Sequence, residues 1–445
     1  MINSLITRFS RSRLSLPVRK MLRKARETYY NSEVLGRLER KTKPVPIKIS
    51  DAEPRRINIL IPEIDFTSFF GGYIAKFNLA KRLTEHGHQV RIVMIDQCEE
   101  NPDTWDACIA QYEGLEDFQS RVEICAHFDR SRTLLVNPDD VIIATTWWSA
   151  YVAEAMRIEL GQDRFLYLIQ EYEPFTFPMG SWYAMADASY SFPHHAMFSS
   201  GLLEEFFRNS RFGVFAESRS DNPAAQPSAG TKIASDAVSS SLYFENAIVR
   251  YTEDDMAAVR QRHRPPQRLL FYARPEPHAS RNMFEIGFLA LRRAVQNGAF
   301  PADKWEIHGI GTSHGDIELG SGQTLRMLGK FGLEDYRATL LQYDVGLGLM
   351  YTPHPSLLPL EMAAAGMQVV TCECMNKTQE TLTEISANMI AAQPTVAGVC
   401  AALVSAAQRS QNVQLRTNED RINWSNSWDD CFDEKTIERI ESWIV

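Results

Sequence analysis

Residues 340–370, LLQYDVGLGLMYTPHPSLLPLEMAAAGMQVV, join a buried strand, a proline-bearing turn and a helix that carries one carboxylate, Glu361. Val345, Leu347, Leu349 and Met350 running into Tyr351 read as the strand, and Pro353 and Pro355, which cannot donate to a ladder, mark the turn. From Ser356 the spacing of Leu357, Leu360, Met362 and Ala364 becomes helical. Gly366 stops the helix, and Val369 and Val370 open another strand. Strand, helix and strand in this order form a βαβ unit, and open α/β sheets hold ligands beyond the carboxyl ends of their strands. A diphosphate placed at this helix N-terminus would meet the free N–H groups from Ser356 through Leu357 to Leu358 and the positive end of the dipole. Glu361, about one and a half turns further in, could then accept hydrogen bonds from sugar hydroxyls. The alternative is an ordinary solvated glutamate, since most Glu side chains are exposed.

The same alternation recurs nearer the N-terminus. INILIP (57–62) reads as an apolar strand, a loop ends in Gly71 and Gly72, and Ile74, Phe77, Ala80 and Leu83 give a helix before VRIVMI (90–95). Further strands are expected at 141–144 and 165–169, and helices at 149–160, 180–185 and 201–209. Residues 218–241, rich in Ser, Ala, Asp and Pro, read as a loop or mobile insertion. A second α/β series starts at RLLFYA (268–273) and continues through a helix at 282–295 and the strand KWEIHGIG (304–311). The expected architecture is α/β, with two doubly wound, Rossmann-like domains facing a central cleft. The divisions fall at 1–54 (a basic helical extension), 55–250 (first domain), 251–415 (second domain) and 416–445 (a helix returning to the first domain).

Composition narrows the class. At 445 residues and 44% hydrophobic the chain can bury two cores. No apolar run approaches the roughly 20 residues that span a bilayer, and the basic N-terminus lacks the apolar stretch and cleavage site of a secretory signal. Seven cysteines, an odd number without framework spacing, suggest reduced thiols and a cytoplasmic protein. Cys372 and Cys374 have no neighbouring His or Cys pair, so a structural metal is not expected. Residues 1–50 carry 13 Lys or Arg against 3 acidic residues, while the whole chain has a net charge of −9. Pro17, Val18, Met21, Leu22 and Ala25 alternate there with Arg19, Lys20, Arg23, Lys24 and Arg26 as a basic amphipathic helix. The anionic inner face of the cytoplasmic membrane is the preferred partner, with a solvated leader as the alternative. Nucleic acid is disfavoured because the remainder is acidic.

Several segments resemble a known family. FYARPEPHASRN, HGIG, LGKFGLEDYRATLLQYDVGLGLM and PLEMAAAG are similar to the nucleotide-sugar domain of the retaining glycosyltransferases of family 4, which have the GT-B fold. IPEID with its GG loop, VIIATTWWSAY and YLIQEYEPFTFPMGSWYAMADASY are closer to bacterial rhamnosyltransferases of the WsaF type, which build S-layer glycans. The likeness spans roughly 55–445. It implies that Arg274 and Arg281 stabilise the charge developing on a leaving nucleoside diphosphate and that Glu361 binds the ribose. It also implies that Gly71 and Gly72 admit the diphosphate and that His308, Lys330, His354, Ser356, Leu357 and Leu358 bind the donor. Arg281 stands where many relatives have Lys.

One departure concerns the sugar. The family pattern has two Glu residues eight apart, and the position eight before Glu361 is Pro353. The first Glu normally holds donor-sugar hydroxyls, so His354 or backbone near Pro355 and Ser356 would replace it. On the acceptor side, Thr146, Trp147 and Trp148, and Gln170, Glu171, Tyr172 and Glu173, follow two strands at their carboxyl ends. Aromatic faces stack on sugar rings and carboxylates orient hydroxyls; the competing reading buries one of the two tryptophans in the core.

The resemblance therefore implies a retaining transferase moving L-rhamnose from dTDP-L-rhamnose to a lipid-linked or soluble glycan at the inner membrane face. No metal is expected, for want of an Asp-rich metal loop. Other readings are a GDP- or UDP-sugar donor, or a catalytically silent glycan-binding protein of the same fold.

Overall fold

The computed structural model describes residues 24, 36–64, 71–98, 100–216, 239–312, 315–329 and 333–444. The expected amphipathic helix around Pro17–Arg26, nearly all of the expected insertion at 218–241, and Lys330 lie outside the described residues. Among the described residues sixteen strands are formed, in chain order β1 (Ile47–Ile49), β2 (Ile57–Ile61), β3 (Val90–Met94), β4 (Glu123–Ala126), β5 (Leu134–Val136), β6 (Val141–Ala144), β7 (Phe165–Ile169), β8 (His194–Phe198) and β9 (Ser241–Tyr243). The second domain adds β10 (Gln267–Tyr272), β11 (Trp305–Ile310), β12 (Ile317–Gly320), β13 (Gln323–Met327), β14 (Val345–Leu347), β15 (Gln368–Cys372) and β16 (Met389–Ala392).

Among the described residues the strands make a two-stranded sheet, β1-β5, and two seven-stranded sheets, the first β4-β3-β2-β6-β7-β8-β9 and the second β12-β13-β11-β10-β14-β15-β16. The first is parallel throughout, and in the second only β12 runs antiparallel. Every residue of β2, β3, β6, β7, β14 and β15 is buried, as parallel strands covered by helices on both faces require. Strand order reverses on either side of the first strand of each sheet. In the first, β2 lies between β3 and β6; in the second, β10 lies between β11 and β14. Doubly wound sheets open a crevice at such a reversal, so the loops after β2, β6, β10 and β14 are the ones that can line a site.

Four helices flank the site or join the domains: α1 (Ala75–Glu85), α2 (Trp147–Leu160), α3 (Leu357–Ala364) and α4 (Glu434–Glu441). Helix α2 starts at Trp147, two residues before the expected Ser149, because Thr146 is the N-cap and exchanges hydrogen bonds with Ser149 in a capping box. The strand expected to run into Tyr351 closes at Leu347. Leu349 and Met350 stay buried while the chain peels away, drawn by a bond from the Tyr351 N–H to the Arg281 carbonyl (2.8 Å).

Helix α4 packs its Ile437 and Ile440, with Cys431 and Phe432, into the core that holds Ile57, Phe77, Leu79 and Leu83 of the first domain. The two chain crossings between domains lie side by side: the Ile248 N–H donates to the Ser425 carbonyl (3.1 Å) and the Trp424 indole to the Asn246 carbonyl (2.9 Å). Residues 36–54 are tied to the first domain, since β1 pairs with β5, Val45 is buried and Lys41 bonds Asp96 with its ammonium 4.2 Å from the Trp148 ring centre. Among the described residues no helix is long and apolar enough to cross a membrane.

Candidate active site between the two sheets

The loop after β2 reaches the second domain through its two glycines. Gly71 has φ +56°, which glycine adopts without strain, and a Cβ there would lie 3.5 Å from Leu357 Cδ1 in the first turn of α3. A Cβ on Gly72 would come within 2.5 Å of Gln170 Oε1, which is itself held by the Asn246 amide (2.8 Å). The glycine loop therefore lies against the N-terminus of α3 across the cleft.

The loop after β7 supplies two carboxylates with different surroundings. Glu171 crosses to the second domain, where Oε2 accepts from the Thr352 hydroxyl (2.7 Å) and Oε1 stands 3.7 Å from Arg281 Nε. Glu173 turns inward and accepts the Trp147 N–H (2.7 Å) at the start of α2. Burial pushes its pKa up to about 7, against the opposing pull of that N–H and of Lys76. Lys76, 3% exposed on α1, has its own pKa lowered to about 7 by burial, partly offset by Glu173, and its ammonium lies 3.7 Å from the Tyr73 ring centre.

From the second domain come the loops after β10 and β14. Arg274 is held by Glu276 (2.9 Å) and the Tyr272 hydroxyl (3.0 Å), and its stem fills the space that Gly311 leaves: a Cβ there would sit 2.6 Å from Arg274 Cδ. Arg281 closes the same loop. After β14, Ser356 sits at φ 68°, ψ 139°, a conformation costly for a residue with a side chain, and it presents α3 without a side-chain cap. His354 braces this turn by accepting the Ser356 N–H at Nδ1 (2.9 Å), and the buried Lys377 donates to the Met350 carbonyl beneath it. The first-turn N–H groups of Leu357 and Leu358 are thereby left for a ligand. Glu361 lies one turn on, its carboxyl accepting the Tyr336 hydroxyl (2.6 Å), and burial raises its pKa to about 7 despite that bond.

The structure thus brings Gly71, Gly72, Glu171, Arg281, Thr352, His354, Ser356 and Leu357 together, with Arg274 and Glu361 flanking them. Other expected residues are placed elsewhere. Trp147 is fully enclosed, edge-on to Trp148, Tyr151, Phe177 and Trp182, so its ring cannot stack on a sugar; only its N–H serves the site, through Glu173. Tyr172 is 2% exposed among Phe175, Phe206, Phe207 and Phe212 with its hydroxyl on Asp187 (2.6 Å), which removes it from the acceptor surface. Thr146 is committed to capping α2, whereas Gln170 stays at the site, against Gly72, with its Oε1 held by Asn246. His308 stands within β11 rather than at its edge, with Nδ1 3.1 Å from the Tyr343 hydroxyl, so it does not line the cleft. Sequence reasoning did not single out Lys76, Thr352, Asn246 or Lys377. Only Lys76 left a signal, a cation amid the apolar positions Ile74, Phe77 and Ala80.

Comparison with known proteins agrees with this architecture. Residues 56–200 match the WsaF N-terminal domain and residues 267–404 the WsaF C-terminal domain, together well over half the chain. The O-antigen biosynthesis protein RfbC of Myxococcus xanthus is 29% identical over 326 residues, covering 70% of this chain; the chain spans only 22% of that relative's length. The structure of Anabaena HepE in complex with UDP-glucose superposes with a TM-score of 0.54 at 12% identity, over 88% of this chain and 99% of HepE. The N-terminal domain of Candida albicans trehalose-6-phosphate phosphatase gives 0.51 at 12% identity, over 87% of this chain and 100% of its own. With both domain matches in sequence order and both sheets in place, the chain belongs to the WsaF family and has the GT-B glycosyltransferase fold.

Proposed function

We propose that the chain is a glycosyltransferase that moves a sugar from a nucleoside diphosphate to a growing glycan, with the donor held between the two switch-point crevices. The observation that carries this reading is the contact of the glycine loop with the open N-terminus of α3, flanked by Arg274 and Arg281. These groups gather positive field where the departing diphosphate gains charge, and they need no reorganisation during reaction. A ribose at Glu361 would place the diphosphate at the first turn of α3. HepE, which shares the fold, was captured with UDP-glucose, and RfbC is named for O-antigen biosynthesis; both support a nucleotide sugar and a glycan as substrates.

We further propose L-rhamnose from dTDP-L-rhamnose as the sugar, since a methyl in place of a hydroxymethyl group suits the apolar turn of Pro353 and Pro355. The reaction retains the anomeric configuration, the leaving phosphate taking the acceptor's proton, and proceeds without a divalent metal because Arg274, Arg281 and helix N–H groups supply the positive charge. The test is release of nucleoside diphosphate and formation of the glycoside from dTDP-, UDP- and GDP-sugars, offered with lipid-extracted glycan acceptors in EDTA. Transfer from the dTDP sugar with retained configuration is expected. Transfer only after Mg²⁺ or Mn²⁺ is added would contradict the metal-free part, and transfer from no donor would contradict the reading itself.

Membrane attachment is proposed for the basic segment preceding Gly36, which holds eight Lys or Arg against two Glu. Each basic residue near an anionic surface contributes about 1 kcal/mol. Deleting residues 1–35, which spares β1 and Lys41, is expected to reduce sedimentation with phosphatidylglycerol vesicles severalfold and to leave donor binding unchanged. Undiminished sedimentation would assign the segment another purpose.

A further inference from the structure

We propose that Glu171, although it belongs to the first domain, is the side chain that accepts hydrogen bonds from the hydroxyls of the donor's sugar. This rests on the nucleotide-sugar reading above and adds which residue recognises the sugar.

The loop between β14 and α3 lies where the sugar would be. With ribose at Glu361 and diphosphate at the first turn of α3, the sugar extends back along this loop towards Thr352. The loop is Tyr351, Thr352, Pro353, His354, Pro355 and Ser356, with no acidic side chain. His354 Nδ1 is occupied by the Ser356 N–H, and the Thr352 hydroxyl donates outward to Glu171. A carboxylate for the sugar must therefore come from elsewhere, and Glu171 arrives at this place from β7 across the cleft.

Its bonding leaves capacity for a ligand. A carboxylate offers about four acceptor sites. Oε2 takes the Thr352 hydroxyl at 2.7 Å, whereas Oε1 is 3.7 Å from Arg281 Nε, beyond hydrogen-bond range, and among the described residues it receives no hydrogen bond. The side chain is 19% exposed, so it opens into the cleft. Arg281 stands beside it; burial lowers the pKa of His354 and of Lys377, and the Glu171 charge offsets part of that lowering, so three nitrogen-bearing side chains of the second domain face one carboxylate of the first. Phosphate oxygens are repelled by such a carboxylate, while hydroxyl donors are attracted. The two ends of a nucleotide sugar are sorted accordingly, phosphates to α3 and the arginines, hydroxyls to Glu171. Because the carboxylate and its Thr352 support come from different domains, the sugar subsite is complete only when the domains meet.

The test separates sugar recognition from nucleotide recognition. Wild type, Glu171→Gln, Glu171→Ala and Thr352→Val are titrated calorimetrically with UDP and UDP-glucose and with dTDP and dTDP-rhamnose, after melting curves have shown each variant folded. For the pair that wild type binds, the bare diphosphate is expected to keep its affinity within about twofold in every variant. The sugar conjugate should weaken at least about tenfold in Glu171→Ala, less in Glu171→Gln, and in the same direction in Thr352→Val. Equal weakening of both ligands or an unchanged conjugate would each overturn the proposal, the second returning Glu171 to the acceptor side. A wild type that binds none of these four ligands, nor GDP or a GDP-sugar, would remove the nucleotide-sugar reading itself, and this proposal with it.

Discussion

Replacing Arg281 with Met is expected to lower the rate of sugar transfer by about 10²- to 10³-fold, the effect of removing one donor from a preorganised site of developing charge. Its backbone is fixed independently of its side chain, because its carbonyl accepts the Tyr351 N–H. The side chain is 26% exposed and, among the described residues, its one ion pair, with Glu171, is long at 3.7 Å, so fold stability depends little on it. The loss should therefore fall on kcat with the melting temperature nearly unchanged. Arg281→Lys restores the charge without the planar fork, and an intermediate rate is expected. Steady-state kinetics of diphosphate release on the three proteins decides it, and a Met variant within a few-fold of wild type would place the leaving-group charge elsewhere.

The largest stability effect is expected far from the cleft, at Asp344. This residue precedes β14 and is fully buried; it accepts from Arg416 Nη2 (2.5 Å), also fully buried, from Arg262 (3.2 Å) and from the Arg268 N–H (3.0 Å). Arg416 in turn donates to the Gly366 carbonyl just past α3. The cluster ties the returning C-terminal segment to the strand and helix on either side of the loop at 351–356. Removing one partner of such a pair strands a buried charge, so Asp344→Ala should destabilise the protein by about 3–5 kcal/mol. Burial pushes the Asp344 carboxyl up, but Arg416 and Arg262 outweigh it and hold the pKa below the usual range. Its stabilising share is thus present above the unfolded value, about 3.9, and is lost as pH falls through the folded one. Urea denaturation between pH 3 and 7 should show the variant's deficit shrinking in acid. A deficit under about 1 kcal/mol at pH 7 would contradict the account.

Much of the fold is legible in the chain because buried parallel strands read as continuous apolar runs. INILI, VIIA and FLYLI end within a residue of their observed limits. Strand β8, HHAMF, is disguised by two histidines, one of which, His194, is buried with its Nδ1 2.7 Å from the Phe192 carbonyl. The short strands β4, β9 and β16 lack length rather than hydrophobicity. At the site, the glycines, the arginines and Glu361 could be found because turns, charge and helix position leave local marks. Trp147 and Tyr172 could not be told from a sugar-stacking pair, since both follow strand ends; only the packing of α2 against its neighbours decides that they are core. Thr352 and Lys377 act through partners distant in sequence, Glu171 and the Met350 carbonyl, and no local pattern announces such contacts.

The Glu361 carboxyl, its pKa raised to about 7 by burial, must ionise to hold a ribose well. A raised carboxyl gives the unliganded fold its full share of stability below the unfolded value and loses that share as pH rises from there through 7, so Glu361→Gln should melt no lower than wild type at pH 8. The direct measurement is calorimetric titration of both proteins with the nucleoside diphosphate of the active donor at pH 6 and 8. The account predicts that wild type tightens about tenfold more than Glu361→Gln between these values, as the ionised fraction of a group with a pKa near 7 rises. It also predicts that at pH 8 the variant binds at least about tenfold more weakly. Equal affinities in a folded variant, with the same pH dependence, would contradict a donor nucleotide seated between the two switch points.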